Sequence, residues 1–120
     1  LNAVFKKIGE EPILKSDILE EMHRSIVKSF LDTIILAELK KSNALSGYDF
    51  LEFVQKKFGF LISSGTIYTL LYSMERKGLI EGKWTIEGKR VYVLTDKGAN
   101  VINVILKSKE EIQRFLGTLF

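Results

Sequence analysis

The chain has no cysteine among its 120 residues. Disulfides and thiolate metal sites are excluded, and a reducing compartment suits it. Histidine occurs once, at His23. Without a partner cluster it reads as structural or solvated rather than catalytic or metal-binding. Proline also occurs once, and Gly9-Glu10-Glu11-Pro12 breaks any helix there. No apolar run approaches ~18 residues, so no membrane span is expected. Leu1 to Lys7 carries no signal-peptide apolar core, and the expectation is a cytoplasmic protein. There is no glycine-rich phosphate loop and no Gly-x-Ser-x-Gly, and the acids are scattered at helical surface spacing. With neither a nucleophile–base pair nor a metal cluster, the chain is not expected to be an enzyme, and no cofactor or metal is expected.

Charge is also in short supply. Eighteen Lys and Arg against fifteen Asp and Glu leave a formal net charge of +3. From Ser63 to Lys97 there are six cations and four acids. Nucleic acid is permitted, but affinity for it must come from arrangement rather than bulk charge. Hydrophobic residues, at 46%, suffice for one domain with a core.

Residues 1–15 read as a loose arm or a short helix plus turn. Asp17 with Glu20 resembles a capping box, which predicts a short helix over residues 17–24. A separate, strongly apolar helix follows from Ser25 to Lys41. Ser46 caps a helix from Gly47 to about Phe58, with Tyr48, Leu51, Val54 and Phe58 as its apolar stripe and Gly59 as its stop. Another helix runs from Ser64 to Lys77. Leu79–Thr85 and Lys89–Thr95 read as two strands, joined through Glu87-Gly88 as a tight hairpin pair. A last, single helix opens at Thr95-Asp96-Lys97-Gly98 and reaches the C-terminus. The fold class expected is mainly α with a small β-hairpin wing, a winged helix-turn-helix with a C-terminal dimerisation helix.

The segment Ser63 to Ile80 is the most informative. Ile67, Leu70, Leu71 and Met74 keep the i, i+3, i+4, i+7 spacing of a core-facing stripe. The other side carries hydroxyls and phenols, which touch phosphates and base edges well. Ser64, Thr66, Tyr68 and Thr69 are the candidate DNA contacts on this helix, and Lys83, Lys89 and Arg90 on the hairpin. Each has a plainer reading too. Tyr68 could pack under the wing, and the small hydroxyls could simply cap the helix. The cations could be edge-strand protection. Tyr72 is expected half-buried, and Trp84, the lone tryptophan, is expected to pack on the sheet.

At these residues the chain resembles the PadR family of transcriptional regulators. The matching stretches are Gly47-Tyr48-Asp49-Phe50, Ser64-Gly65-Thr66-Ile67-Tyr68, Leu70-Leu71, Met74 through Ile80, and Arg90 through Gly98. The resemblance implies a homodimeric winged-helix regulator, a repressor or an activator, that dimerises through its C-terminal helix. It also implies a small-molecule effector in many relatives. The wing tip, Glu87-Gly88-Lys89, departs from the pattern by being short and acidic. The last helix lacks the tryptophans that stack flat drugs in some relatives, so no effector pocket is carried over.

The expected organisation is therefore an arm and short helix over 1–24, a winged-helix DNA-binding domain over 25–97, and a dimerisation helix over 98–120. Ile102, Ile105, Ile112, Phe115, Leu116 and Leu119 are too many to bury in one thin domain and form the expected dimer interface. Lys109 falls within their heptad-like spacing. The partners expected are double-stranded DNA, a second copy of the chain and an effector of unknown identity. The function read from this is a sequence-specific DNA-binding regulator, a repressor by preference. The rival reading is a winged-helix module that binds another protein in a transcription or assembly complex.

Overall fold

The structure is a computed structural model that describes residues 14–120. Of the arm or short helix expected over residues 1–15, residues 1–13 lie outside the described residues, and Lys15 already opens the first described helix. The chain divides into two compact units, one ending at Asp32 and one from Thr33 to Phe120.

In the first unit the described residues form α1 (Lys15–Ser29) and the opening of α2 (Leu31–Lys41). The expected break at 24/25 is absent. α1 runs straight through Ser25, and the two helices part at Phe30, where φ is −107° and ψ is 16°. Asp17 does not cap α1 either. The N-cap is Leu14, which makes no side-chain cap bond, and Asp17 sits in the first turn, where a carboxylate suits the helix dipole. Val27 and Leu31 are buried, while Ile18, Leu19, Ile26 and Phe30 stay exposed.

The second unit contains the rest of α2, then α3 (Gly47–Phe58), α4 (Ser64–Arg76), strands β1 (Ile80–Trp84) and β2 (Arg90–Leu94), α5 (Asp96–Lys107) and α6 (Lys109–Leu116). This is the order of a winged helix-turn-helix. Ile35, Leu36 and Leu39 of α2, Phe50 and Val54 of α3, and Ile67, Leu71 and Met74 of α4 are all buried. The stripe of α3 is rotated from the one expected. Gly47, Phe50 and Val54 face inward, so Tyr48, one position out of phase, is exposed.

Local chemistry sets each boundary of the helix pair. Ser46 and Asp49 form a reciprocal capping box: the Asp49 N–H donates to Ser46 Oγ (3.1 Å), and the Ser46 N–H donates to Asp49 Oδ2 (2.8 Å). Gly59 ends α3 with φ 82°. α4 ends in a Schellman motif, with Gly78 at φ 75°. The Leu79 N–H reaches Met74 O and the Gly78 N–H reaches Glu75 O, both at 3.0 Å.

β1 and β2 pair antiparallel, from Ile80 opposite Leu94 to Trp84 opposite Arg90. Leu45 adds one bridge to Tyr92 on the other side of β2. The loop carries Glu87-Gly88 between Thr85 and Lys89, the expected strand ends. Thr85 donates to Lys89 O and Gly88 donates to Thr85 O, so Ile86, Glu87 and Gly88 form a three-residue loop. A type I′ turn needs positive φ at both central residues, and only Gly88 adopts it.

Thr95 then locks the hairpin exit to the end of α4. Its hydroxyl donates to Gly78 O (2.6 Å) and accepts from the Gly98 N–H (3.0 Å). Gly98 rests against the Leu79 carbonyl, where a Cβ would collide with backbone oxygen. The single C-terminal helix expected is two. Ser108 separates α5 from α6 at φ −106°, and its hydroxyl donates back to Val104 O (2.8 Å), a bond known to bend helices.

Candidate nucleic-acid interface

α4 and the hairpin hold the residues singled out from the sequence. The first turn of α4 is organised by Ser63, whose Oγ accepts the Thr66 N–H (3.1 Å) and bonds Thr66 Oγ1 (2.8 Å). Thr66 is therefore exposed but engaged, whereas Ser64 and Thr69 are exposed. Gly65 has only Ser63 Oγ near the position a Cβ would take, at 4.0 Å, so backbone can be approached closely there.

Tyr68 packs against the start of α3. Its ring lies on Gly47, at the start of α3, with ring atoms 2.5 Å from where a Gly47 Cβ would be. Of the Tyr68 surface 47% remains exposed. The missing Cβ of Gly47 thus sets the direction of the phenol, a relation 21 positions apart that no local pattern displays. Tyr72 is 63% exposed rather than half-buried, with the Arg76 guanidinium 5.7 Å from its ring. No acidic residue occurs from Gly59 to Met74, so the outer face of α4 meets an approaching phosphate without a carboxylate until Glu75.

Cross-strand register sorts the wing. Gly82, Trp84, Arg90 and Tyr92 share one face, and Glu81, Lys83, Val91 and Val93 the other. Lys83 and Lys89 are exposed. Lys89 Nζ, at the loop end of the hairpin, stands 4.0 Å from Asp49 Oδ2 at the start of α3. The Asp49 carboxyl is held below its usual value chiefly by the Ser46 N–H, against a smaller opposing effect of burial.

Arg90 is placed differently from the two lysines. Its Nη2 lies 3.3 Å from Glu75 Oε2, and its guanidinium covers Gly82 and faces the Trp84 ring at 5.3 Å. It is turned inward rather than free. Trp84 is not packed on the sheet; it is 69% exposed beneath that guanidinium. Ile86, at the tip, is fully exposed and carried no sequence signal. Alternation did hold a clue to Arg90, since it stands two residues from the buried Tyr92.

Of the residues expected at a dimer interface, Ile102 is wholly buried in the chain's own core. Ile105 and Ile112 are intermediate, and Phe115, Leu116 and Leu119 are exposed. Lys40 donates to Asn103 Oδ1, which ties α5 to the end of α2. Among the described residues no group of three or more His, Asp or Glu is placed to hold a metal ion. No described helix is long and apolar enough to cross a membrane.

Residues 35–104 match the transcriptional regulator PadR-like family. The chain belongs to that family. PadR-family proteins are transcriptional regulators. Solved structures agree with the fold. A PadR family transcriptional regulator from Eggerthella lenta DSM 2243 superposes with a TM-score of 0.70 at 23% identity, over 87% of this chain and 93% of that one. A PadR-like transcriptional regulator from Bacillus cereus ATCC 14579 gives 0.64 at 29% identity, over 79% and 95%. Bacillus subtilis PadR, solved in complex with operator DNA, gives 0.56 at 30% identity, over 63% of this chain and 46% of that one. The same Bacillus subtilis protein has been solved in complex with p-coumaric acid. No curated protein matches the chain.

Proposed function

We propose that this chain is a sequence-specific, double-stranded-DNA-binding repressor that acts by binding rather than catalysis, as a homodimer in the cytoplasm. The observation that carries the reading is the outer face of α4. Ser64, Thr66, Tyr68 and Thr69 stand exposed there with no acidic residue among them. A rod of this kind, presented by a compact scaffold, fits the major groove, and its hydroxyls can donate to phosphates and base edges. Lys83 and Lys89 supply phosphate contacts from the wing. Arg90, turned to Glu75, is given a supporting role instead. The operator complex of the Bacillus subtilis relative supports this assignment, and its p-coumaric acid complex supports a small-molecule effector whose identity is open.

Dimerisation rests on α6 and the residues after it. Phe115 is 66% exposed, Leu119 60% and Phe120 100%, a concentration of apolar surface that suits a second copy of the chain. Ile105, Ile112 and Leu116 flank that surface, and Ile102 supports it from the core. Two α4 helices related by a two-fold axis read half-sites about one turn (~34 Å) apart.

Methylation protection on DNA from the chain's own upstream region tests the reading. The expected result is two patches of protected major-groove guanines one helical turn apart, both weakened when Tyr68 is replaced by Ala. A single patch, or protection indifferent to Tyr68, contradicts it. Light scattering gives the mass in parallel, and Phe115→Asp with Leu119→Asp is expected to convert dimer to monomer.

A further inference from the structure

The distal half of the wing has little of its own to hold it. An isolated two-stranded hairpin is marginal in water. The base of this one is anchored by buried Ile80 and Tyr92 and by the Leu45 bridge. Beyond Gly82 both strands run out to exposed residues: Lys83, Trp84, Ile86, Glu87 and Lys89. From α3, Asp49 Oδ2 approaches only the exposed Lys89 Nζ, at 4.0 Å; from α4 one group reaches both strands. Glu75 Oε2 accepts the Gly82 N–H at 2.9 Å and faces Arg90 Nη2 at 3.3 Å. The Arg90 guanidinium spreads from there over Gly82, which has no Cβ to obstruct it, to the Trp84 ring.

We infer that Glu75, Arg90 and Gly82 form a clasp that fixes the wing's angle to α4, so that Glu75 and Arg90 are positioning residues for DNA recognition although neither touches DNA. This rests on the DNA-binding reading above. A half-exposed ion pair adds little to stability. Its value here is geometric, because one carboxylate at the C-terminal end of the reading helix holds a backbone N–H of β1 and a side chain of β2. With the clasp closed, Lys83 and Lys89 are presented at a set distance from Tyr68 and Thr69. With it open, the wing samples many angles, and ordering it on DNA costs affinity.

The inference makes a prediction opposite in sign to simple electrostatics. Glu75→Gln removes a negative charge near the DNA side. Gly82→Ala changes no charge, and its Cβ would evict the flexible guanidinium and free a cation. Charge alone says both bind DNA more tightly. The clasp says both bind on the order of tenfold more weakly, the scale of one charge-assisted hydrogen bond. Because the wing still orders on DNA once bound, its hydroxyl-radical footprint and the major-groove methylation protection should both persist at saturating protein, and the loss should appear as weaker affinity at every salt concentration.

Trp84, the only tryptophan, reports on the clasp without DNA. Both variants, checked by circular dichroism for retained fold, should lower its steady-state fluorescence anisotropy in the free protein. Should Glu75→Gln fail to fold, Gly82→Ala carries the test alone, since the atoms its Cβ meets are the far end of a movable side chain. Unchanged Trp84 anisotropy overturns the clasp itself, whatever happens with DNA. Changed anisotropy with equal or tighter DNA binding overturns the positioning role. A wild-type chain that binds no DNA overturns the functional reading, and the positioning role falls with it while the anisotropy result still judges the clasp.

Discussion

Replacing Lys83 and Lys89 together by Met should flatten the salt dependence of DNA binding without unfolding the chain. Both side chains are exposed, and Lys89 is held only by a 4.0 Å approach to Asp49. Each phosphate contact contributes about 0.9 to the slope of log affinity against log salt. Two lysines therefore account for about 1.8 per protomer and about 3.6 for a two-fold dimer. Between 50 and 200 mM salt this amounts to roughly a hundredfold difference in how much affinity is lost. Arg90→Met is the informative comparison. Arg90 faces Glu75 at 3.3 Å, so its loss should lower affinity at every salt concentration and leave the slope alone. Fluorescence anisotropy with labelled DNA at four or five salt concentrations measures both. An unchanged slope for the lysine pair, or a flattened one for Arg90→Met, refutes the division of the wing cations into outward and inward groups.

Three further outcomes follow from the fold. Ile67 is wholly buried on the inner face of α4, and Ile67→Ala should cost about 2–5 kcal/mol, read from the urea midpoint. A loss below ~1 kcal/mol would mean the site collapses or was never packed. Gly98→Ala drives a Cβ onto the Leu79 carbonyl, a backbone atom that cannot turn aside, so it should reach or exceed the upper end of the about 1–3 kcal/mol of ordinary overpacking. A melting temperature equal to wild type would dismiss that contact. Asp49 titrates lower in the folded chain than its ordinary value of 3.8, chiefly through the Ser46 N–H. Its contribution is whole above that ordinary value and is lost as pH falls through the lower folded one. Asp49→Asn should therefore flatten the stability profile below about pH 4, and parallel profiles would argue against the capping box as an acid-sensitive element.

What could be read from the sequence was mostly local. Ser46 and Ser63, Gly59 and Gly78 bracket α3 and α4 within a few residues of each boundary, and the cap chemistry is written in the residue types. The run Thr95-Asp96-Lys97-Gly98 likewise announces its own helix start. Two breaks were illegible for a plain reason: Phe30 and Ser108 interrupt helices without glycine or proline. The exposed aromatics were misjudged because a tyrosine or tryptophan at an apolar position defaults to core. Here Arg76 and Arg90 sit beside Tyr72 and Trp84 and give them a cationic neighbour at the surface. The site itself depends on pairs far apart in sequence. Gly47 with Tyr68 and Glu75 with Arg90 meet only once the helices and hairpin have packed. Ile102 shares the spacing of the expected dimer seam, and in the chain itself it is wholly buried, because the same spacing serves a helix's inward face.

The central claim is that the exposed face of α4 reads a particular DNA sequence. Anisotropy titration of the chain against its own upstream DNA and against the same DNA scrambled, at one fixed salt concentration, tests it most directly. The account predicts tighter binding to the native sequence by more than ~10³. Absence of binding to either DNA at low salt would contradict it.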